Sequence, residues 1–182
     1  DDDSQNAPEL AQIAEDAGVR MLTVHGRTRC QLYNGSADWK FIRNVCDAVR
    51  IPVIVNGDIR TFDDVDAALE QSGADGVMIG RGAQGKPWLL AQVAHDLFGA
   101  PAPVIPQGAD FARMVSDHYE AIIRFYGEVI GLRVARKHLG WYMDTSNTPA
   151  DLRRAVLTAA SPAEVHRLIP SACLPDHQLE AA

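Results

Sequence analysis

Cysteine is scarce in this chain of 182 residues: Cys30, Cys46 and Cys173 are all it has. The count is odd and no two are spaced as metal ligands, which argues against a disulfide-stapled scaffold or a zinc module. It fits a reducing, cytoplasmic setting. Long apolar runs are missing too. No stretch approaches the roughly 20 residues that cross a bilayer, and no signal-peptide pattern is visible, so no membrane partner is expected. There is no initiator methionine. The chain begins Asp1-Asp2-Asp3-Ser4 and passes almost directly into a helix pattern, like a piece cut from a longer protein. Nor is there an excess of positive charge: the net charge of −7 argues against a wholesale nucleic-acid binder. The deficit is uneven. Residues 1–107 carry nine basic and fifteen acidic side chains, residues 108–169 carry eight and seven, and the tail adds only Asp176 and Glu180.

What is present is an alternation of short apolar runs with helix patterns. Arg20–Val24 leads into His25-Gly26-Arg27, Ile51–Val55 into Asn56-Gly57-Asp58, and Asp75–Ile79 into Gly80-Arg81-Gly82. Each run is short, apolar and β-branched, as expected of a parallel strand covered on both faces. Leu10, Ile13, Ala14 and Ala17 have helical spacing, with Gly18 as the C-terminal stop. Ser36 is the expected cap of a helix striped by Ile42, Val45, Cys46 and Val49. Thr61 with Asp64 forms an acidic variant of the capping box, opening a helix that Gly73 ends. Pro87 suits the first turn of a helix running to Phe98. Connections this short imply right-handed parallel crossovers, as in an α/β fold. Three strands do not close a barrel, so the region is either a fragment of an eight-stranded barrel or a small open sheet, with apolar strand edges that favour self-association.

The proline-rich segment 99–106 ends this pattern and reads as a linker. Beyond it the chain is helical. One helix carries Phe111, Val115, His118, Tyr119, Ile122, Ile123 and Tyr126, and a second runs from about Glu128 to Met143. Thr148-Pro149 and Ser161-Pro162-Ala163-Glu164 are two further N-cap-plus-proline starts, the latter a full capping box. Four such helices imply a small bundle. The expected division is 1–99 for the strand-bearing unit, 100–107 for a linker, 108–170 for the helical unit and 171–182 for a tail.

Polar groups at the carboxyl ends of parallel strands are where barrels and open sheets keep their chemistry. Gly80-Arg81-Gly82 is the strongest candidate. Its glycines admit a phosphate close to the backbone, a following helix would aim free N–H groups at it, and Arg81 adds a charged donor. The alternative is a tight turn with a surface arginine. Asn56-Gly57-Asp58 is good turn chemistry anywhere, although two hydrogen-bonding side chains at a strand end point to a site. His25 stands in register with them and could donate to a phosphate or a heterocycle. Arg133, Arg136 and Lys137 share one helix face, which is either simply solvated or faces RNA phosphates.

Taken together, four motifs resemble those of the bacterial tRNA-dihydrouridine synthases. They are His25-Gly26-Arg27-Thr28, Asn56-Gly57-Asp58-Ile59, Gly80-Arg81-Gly82-Ala83-Gln84-Gly85 with Pro87-Trp88, and Arg136-Lys137-His138-Leu139-Gly140-Trp141-Tyr142. The resemblance extends from Asp1 to about Ile169 and implies the C-terminal part of a (β/α)8 TIM barrel followed by a helical tRNA-binding domain. It further implies FMN as cofactor, NADPH as its reductant, and reduction of tRNA uridine to 5,6-dihydrouridine. His25, Asn56, Asp58, Gly80 and Arg81 would hold FMN, and Arg133, Arg136 and Lys137 would face the tRNA. The family's catalytic cysteine lies in an Asn-x-Gly-Cys-Pro type segment, and its flavin lysine on an earlier strand. Neither occurs in this sequence, and Cys30 reads as a loop residue, so the isolated chain is expected to be inactive. A non-catalytic RNA-binding or scaffold module, and another FMN-dependent barrel oxidoreductase acting on a small metabolite, are the alternatives.

Overall fold

A computed structural model describes residues 1 and 3–174. They form two compact units, one of Asp1–Ala83 with Asp96–Gly99, the other of Gln84–His95 with the described residues from Ala100 onward.

The first unit alternates helix and strand: α1 (Ala7–Asp16), β1 (Leu22–His25), α2 (Trp39–Ala48), β2 (Val53–Asn56), α3 (Phe62–Ser72) and β3 (Gly76–Met78). All pairings are parallel, in the order β1-β2-β3. The strands are shorter than the apolar runs that announced them, because pairing begins only where two backbones lie side by side. On the central strand, Val53 and Val55 are fully buried, as are Ile42 and Val45 of α2 and Val65 and Ala68 of α3. Each fully buried Val or Ile contributes about 1.5–3 kcal/mol. The outer edges of β1 and β3 have no strand partner among the described residues, and Leu10, Ile13, Met21 and Met78 are exposed.

Local signals set the helix ends, with two differences from expectation. Thr61 and Asp64 make the reciprocal capping box of α3, and Gly73 ends it in the left-handed conformation. For α2, however, the cap is Asp38, whose carboxylate accepts from the Phe41 N–H at 2.9 Å, and Ser36 takes no part. After β3 the chain makes a single 3-10 turn, Arg81–Ala83, and α4 spans Leu89–Phe98. Pro87 therefore precedes that helix, and no long helix starts directly at the glycine-arginine loop.

In the second unit α5 (Gly108–Thr145) is interrupted at Gly127, whose φ of 73° and ψ of 168° only glycine adopts readily. The two halves fold back on each other: the ring of His118 lies against His138 and Tyr142 across the bend. Phe111, Val115, Tyr119 and Ile122 from the first half meet Ala135, Leu139 and Met143 from the second, with Val156 of α6 (Ala150–Thr158) and Ile169 of α7 (Pro162–Cys173) completing the core. Ser161 caps α7 by accepting from Glu164 N–H, but the Glu164 carboxylate reaches the N–H of Ala160, one residue before the expected partner. Thr148 does not cap α6; its hydroxyl donates to the Ala172 carbonyl. Helix α7 extends past residue 170, and the rest of the expected tail, with Asp176 and Glu180, lies outside the described residues. No helix among the described residues is long and apolar enough to cross a membrane.

Candidate functional site

Parallel register brings the three polar strand ends together. His25 pairs with Asn56, and Asn56 with Met78, so the loops that follow each strand open on the same edge of the sheet. They border a cleft of about 650 Å³ lined by His25, Asn56, Asp58, Gly80 and Arg81 among others. That volume falls in the range of small-molecule sites, about 300–1,000 Å³.

Hydrogen bonds fix the strand-end side chains. The His25 Nδ1 lies 3.2 Å from the Asn56 carbonyl oxygen. A carbonyl can only accept, so in the neutral ring the proton sits on Nδ1 and Nε2 is left as an acceptor. The Asn56 amide donates from Nδ2 to the Met78 carbonyl at 2.7 Å, which orients its Oδ1 as an acceptor. Gly80 has open space beside its α-carbon: a methyl there would meet nothing within 4 Å. Its neighbour Gly82 is hemmed in, since a Cβ would overlap the Ile59 carbonyl oxygen and stand 3.0 Å from Arg60 Cα. The first glycine keeps the cleft open, whereas the second lets two backbone segments pack together.

Asp58 is held by the protein itself. Its φ is 55°, unusual for a non-glycine residue, and its carboxylate is largely engaged by the protein. Arg27 donates to Oδ1 at 3.2 Å and Oδ2 at 2.5 Å, and the Ala37 N–H donates to Oδ2 at 2.9 Å. The same guanidinium donates from Nε to Asn34 O and from Nη2 to Gly35 O, so one buried arginine ties the 28–37 loop to the end of β2. Burial works to raise the Asp58 pKa, but the Arg27 and Ala37 hydrogen bonds and the charges of Arg27 and Arg60 prevail and hold it below the ordinary carboxylate range. Removing one partner of such a largely buried pair costs about 3–5 kcal/mol. Arg81 is half exposed, 3.7 Å from Asp58 Oδ1, with its guanidinium 4.8 Å from the centre of the Tyr33 ring.

Arg27, Arg29, Arg60, Tyr33 and Leu32 also border the cleft, and the sequence reading assigned none of them a role. A signal existed for Arg27, two residues after His25 in the same strand-end segment. Nothing in the order of residues revealed that its side chain is 97% buried. Cys30 is exposed in the 28–37 loop, Cys46 is half-buried with its thiol pushed up by burial, and Cys173 is buried with its thiol pushed up to about 12. No cluster of possible metal ligands occurs among the described residues.

In the second unit Arg133, Arg136 and Lys137 are all exposed on the outer side of α5. Between Glu128 and Asp144 the chain has no acidic residue, so this face carries one sign of charge. His138, one position further, turns inward against His118 and Trp141.

A parallel α/β unit with a cleft at the carboxyl ends of its strands is of the class that binds its ligands there. Comparison with known proteins narrows this. The family model described as dihydrouridine synthase (Dus) matches residues 1–177, and the chain belongs to that family. It is 54% identical over 172 residues to a probable tRNA-dihydrouridine synthase of Rhodobacter capsulatus, covering 94% of this chain and 52% of that protein. A probable tRNA-dihydrouridine synthase of Rickettsia conorii is 52% identical over 169 residues, 93% and 51% of the two chains. A tRNA-dihydrouridine synthase B of Xanthomonas axonopodis is 44% identical over 162 residues, 89% and 49%. The chain thus spans about half the length of the curated relatives it matches.

Proposed function

We propose that this chain is the C-terminal half of a cytoplasmic tRNA-dihydrouridine synthase, an enzyme that reduces uridine in tRNA to 5,6-dihydrouridine with FMN as cofactor and NADPH as reductant. In this reading residues 1–99 are the last strands and helices of an eight-stranded barrel, 100–107 a linker, and 108–170 a helical unit that contacts tRNA. The observation that carries it is the cleft where His25, Asn56, Gly80 and Arg81 converge, in a chain of the dihydrouridine synthase family.

The residues fit FMN. Open space at Gly80 beside the half-exposed Arg81 guanidinium suits a phosphate dianion, which takes charge-assisted hydrogen bonds from arginine. The acceptor on Asn56 and the ring of His25, held in fixed orientations, suit the hydrogen-bonding groups of the flavin. Asp58 we put behind these contacts, since its carboxylate already receives Arg27 and Ala37. Bound flavin would supply the hydride for the uracil ring, while the chain binds, orients and sets the electrostatics. The target uridine must leave its stack to reach the ring. Arg133, Arg136 and Lys137 would hold the tRNA by its phosphates, which position the RNA without reading its sequence.

The test uses the intact protein. It should purify with flavin absorbance and, given NADPH, form dihydrouridine in unmodified tRNA. A flavin-bound protein that leaves tRNA unchanged but oxidises NADPH with a small metabolite would move it to another class of flavin oxidoreductase.

A further inference from the structure

We propose that Arg27 is a positioning residue that occupies the Asp58 carboxylate, and thereby keeps Arg81 available for an anion in the cleft. The proposal rests on the flavin-phosphate reading given above and adds to it a residue that acts through Asp58 and Arg81.

Three side chains compete in a small space. The Asp58 carboxylate is paired with Arg27 and Arg81, and the charge of Arg60 also bears on it. Arg27, whose side chain is only 3% exposed, donates to both carboxylate oxygens, at 3.2 and 2.5 Å. Arg81, 50% exposed, makes a looser ion pair with the same carboxylate, its Nη2 3.7 Å from Oδ1 and beyond hydrogen-bonding range. The Ala37 N–H takes a further acceptor position on Oδ2. The carboxylate is therefore satisfied from the protein side, and the Arg81 guanidinium rests over Tyr33 with its donors unspent on Asp58.

Without Arg27 the balance inverts. A tethered carboxylate is always present, whereas a phosphate must arrive from solution. Asp58, stripped of its partner, would draw in Arg81, whose guanidinium is already within 4 Å. The Arg81 donors would then be spent on Asp58, and the cleft would lose the positive charge of Arg27 as well. Arg27 thus decides whether the loose Arg81–Asp58 ion pair, 3.7 Å apart, tightens into hydrogen bonds or leaves the arginine to a ligand.

The experiment measures FMN and riboflavin affinity of the flavin-free intact protein by quenching of flavin fluorescence. The ratio of the two affinities isolates the phosphate from any general change in the cleft. Arg81→Ala should lower that ratio by about ten- to one-hundred-fold, the range for a hydrogen bond to a charged group. Arg27→Gln should lower it by about tenfold or more, through the release of Asp58. Adding Asp58→Asn to Arg27→Gln should restore most of the ratio, because the competing charge is gone. Asp58→Asn alone should keep the preference for FMN, which also serves as the test if Arg27→Gln does not fold. An unchanged ratio in Arg27→Gln, no recovery in the double variant, or lost preference in Asp58→Asn alone would overturn the proposal while leaving the phosphate site intact. A wild-type protein that binds FMN and riboflavin equally would remove the phosphate site and this role of Arg27 with it.

Discussion

Gly80 and Gly82 look equivalent in the sequence, yet replacing each by alanine should have opposite effects on stability. At Gly82 the added methyl overlaps the carbonyl oxygen of Ile59 and presses on Arg60 Cα at 3.0 Å. Both are backbone atoms, so no rotamer change relieves the contact, and the turn after β3 must move away from the loop after β2. Overpacking of this kind costs about 1–3 kcal/mol. At Gly80 nothing lies within 4 Å of the new methyl and φ is not positive, so alanine only stiffens the unfolded chain, a gain of about 0.4–1 kcal/mol. The two variants should therefore differ by about 1.5–4 kcal/mol. Urea unfolding of the intact protein measures this: Gly82→Ala should lower the midpoint without changing the slope, and Gly80→Ala should not. Flavin affinity should show the reverse pattern in part, since the Gly80→Ala methyl enters the space beside Arg81 and weakens FMN binding in a stable protein. Equal stabilities would refute the reasoning, because they would mean that the Gly82 contact relaxes at no cost.

Three further outcomes follow from the second unit. Arg136→Ala should weaken tRNA binding and reduce the steepness of log K against log salt by about 0.7–0.9, leaving flavin occupancy unchanged; an unaltered slope would make the basic face a solvated surface only. Burial holds His118 and His138 below their ordinary value of 6.5, and for His138 the charges of His118 and Lys137 add to this. The unfolded chain then binds protons that the folded one declines, so stability should be complete above about pH 6.5 and fall as pH drops below it. Comparing denaturant midpoints at pH 7.5 and 5.5 checks the sign, and His138→Gln should shrink the difference. Gly127→Ala should cost about 1–3 kcal/mol, because its backbone conformation is nearly confined to glycine; a variant of wild-type stability would show that the bend tolerates another geometry.

Helix ends were legible where side chain and backbone partner are close in sequence. Thr61 with Asp64, Gly73 after α3 and the break near Gly127 are all local events, decided by capping and by φ. Ser36 and Thr148 misled for different reasons. Asp38 stands two residues beyond Ser36 with an equally good acceptor, and Thr148 found its partner in Ala172, 24 residues away. Pro87 suited a helix start, but the chain first makes a 3-10 turn at Arg81–Ala83, a choice that depends on Gly82 packing against Ile59 and Arg60.

By itself the sequence determined the alternation of strand and helix, the parallel sheet, the polar strand ends and the basic face of α5, because periodicity and residue type act over a few neighbours. Tertiary structure alone decided what those strand ends do. Asn56 turns its amide to Met78, and Asp58 is claimed by an arginine 31 residues earlier in the chain. The two glycines around Arg81 part company, one facing open space and the other a carbonyl. The physical reason is that a charged group buried in a cleft must take its partner from whatever the fold brings within about 3 Å, and sequence distance says nothing about that choice.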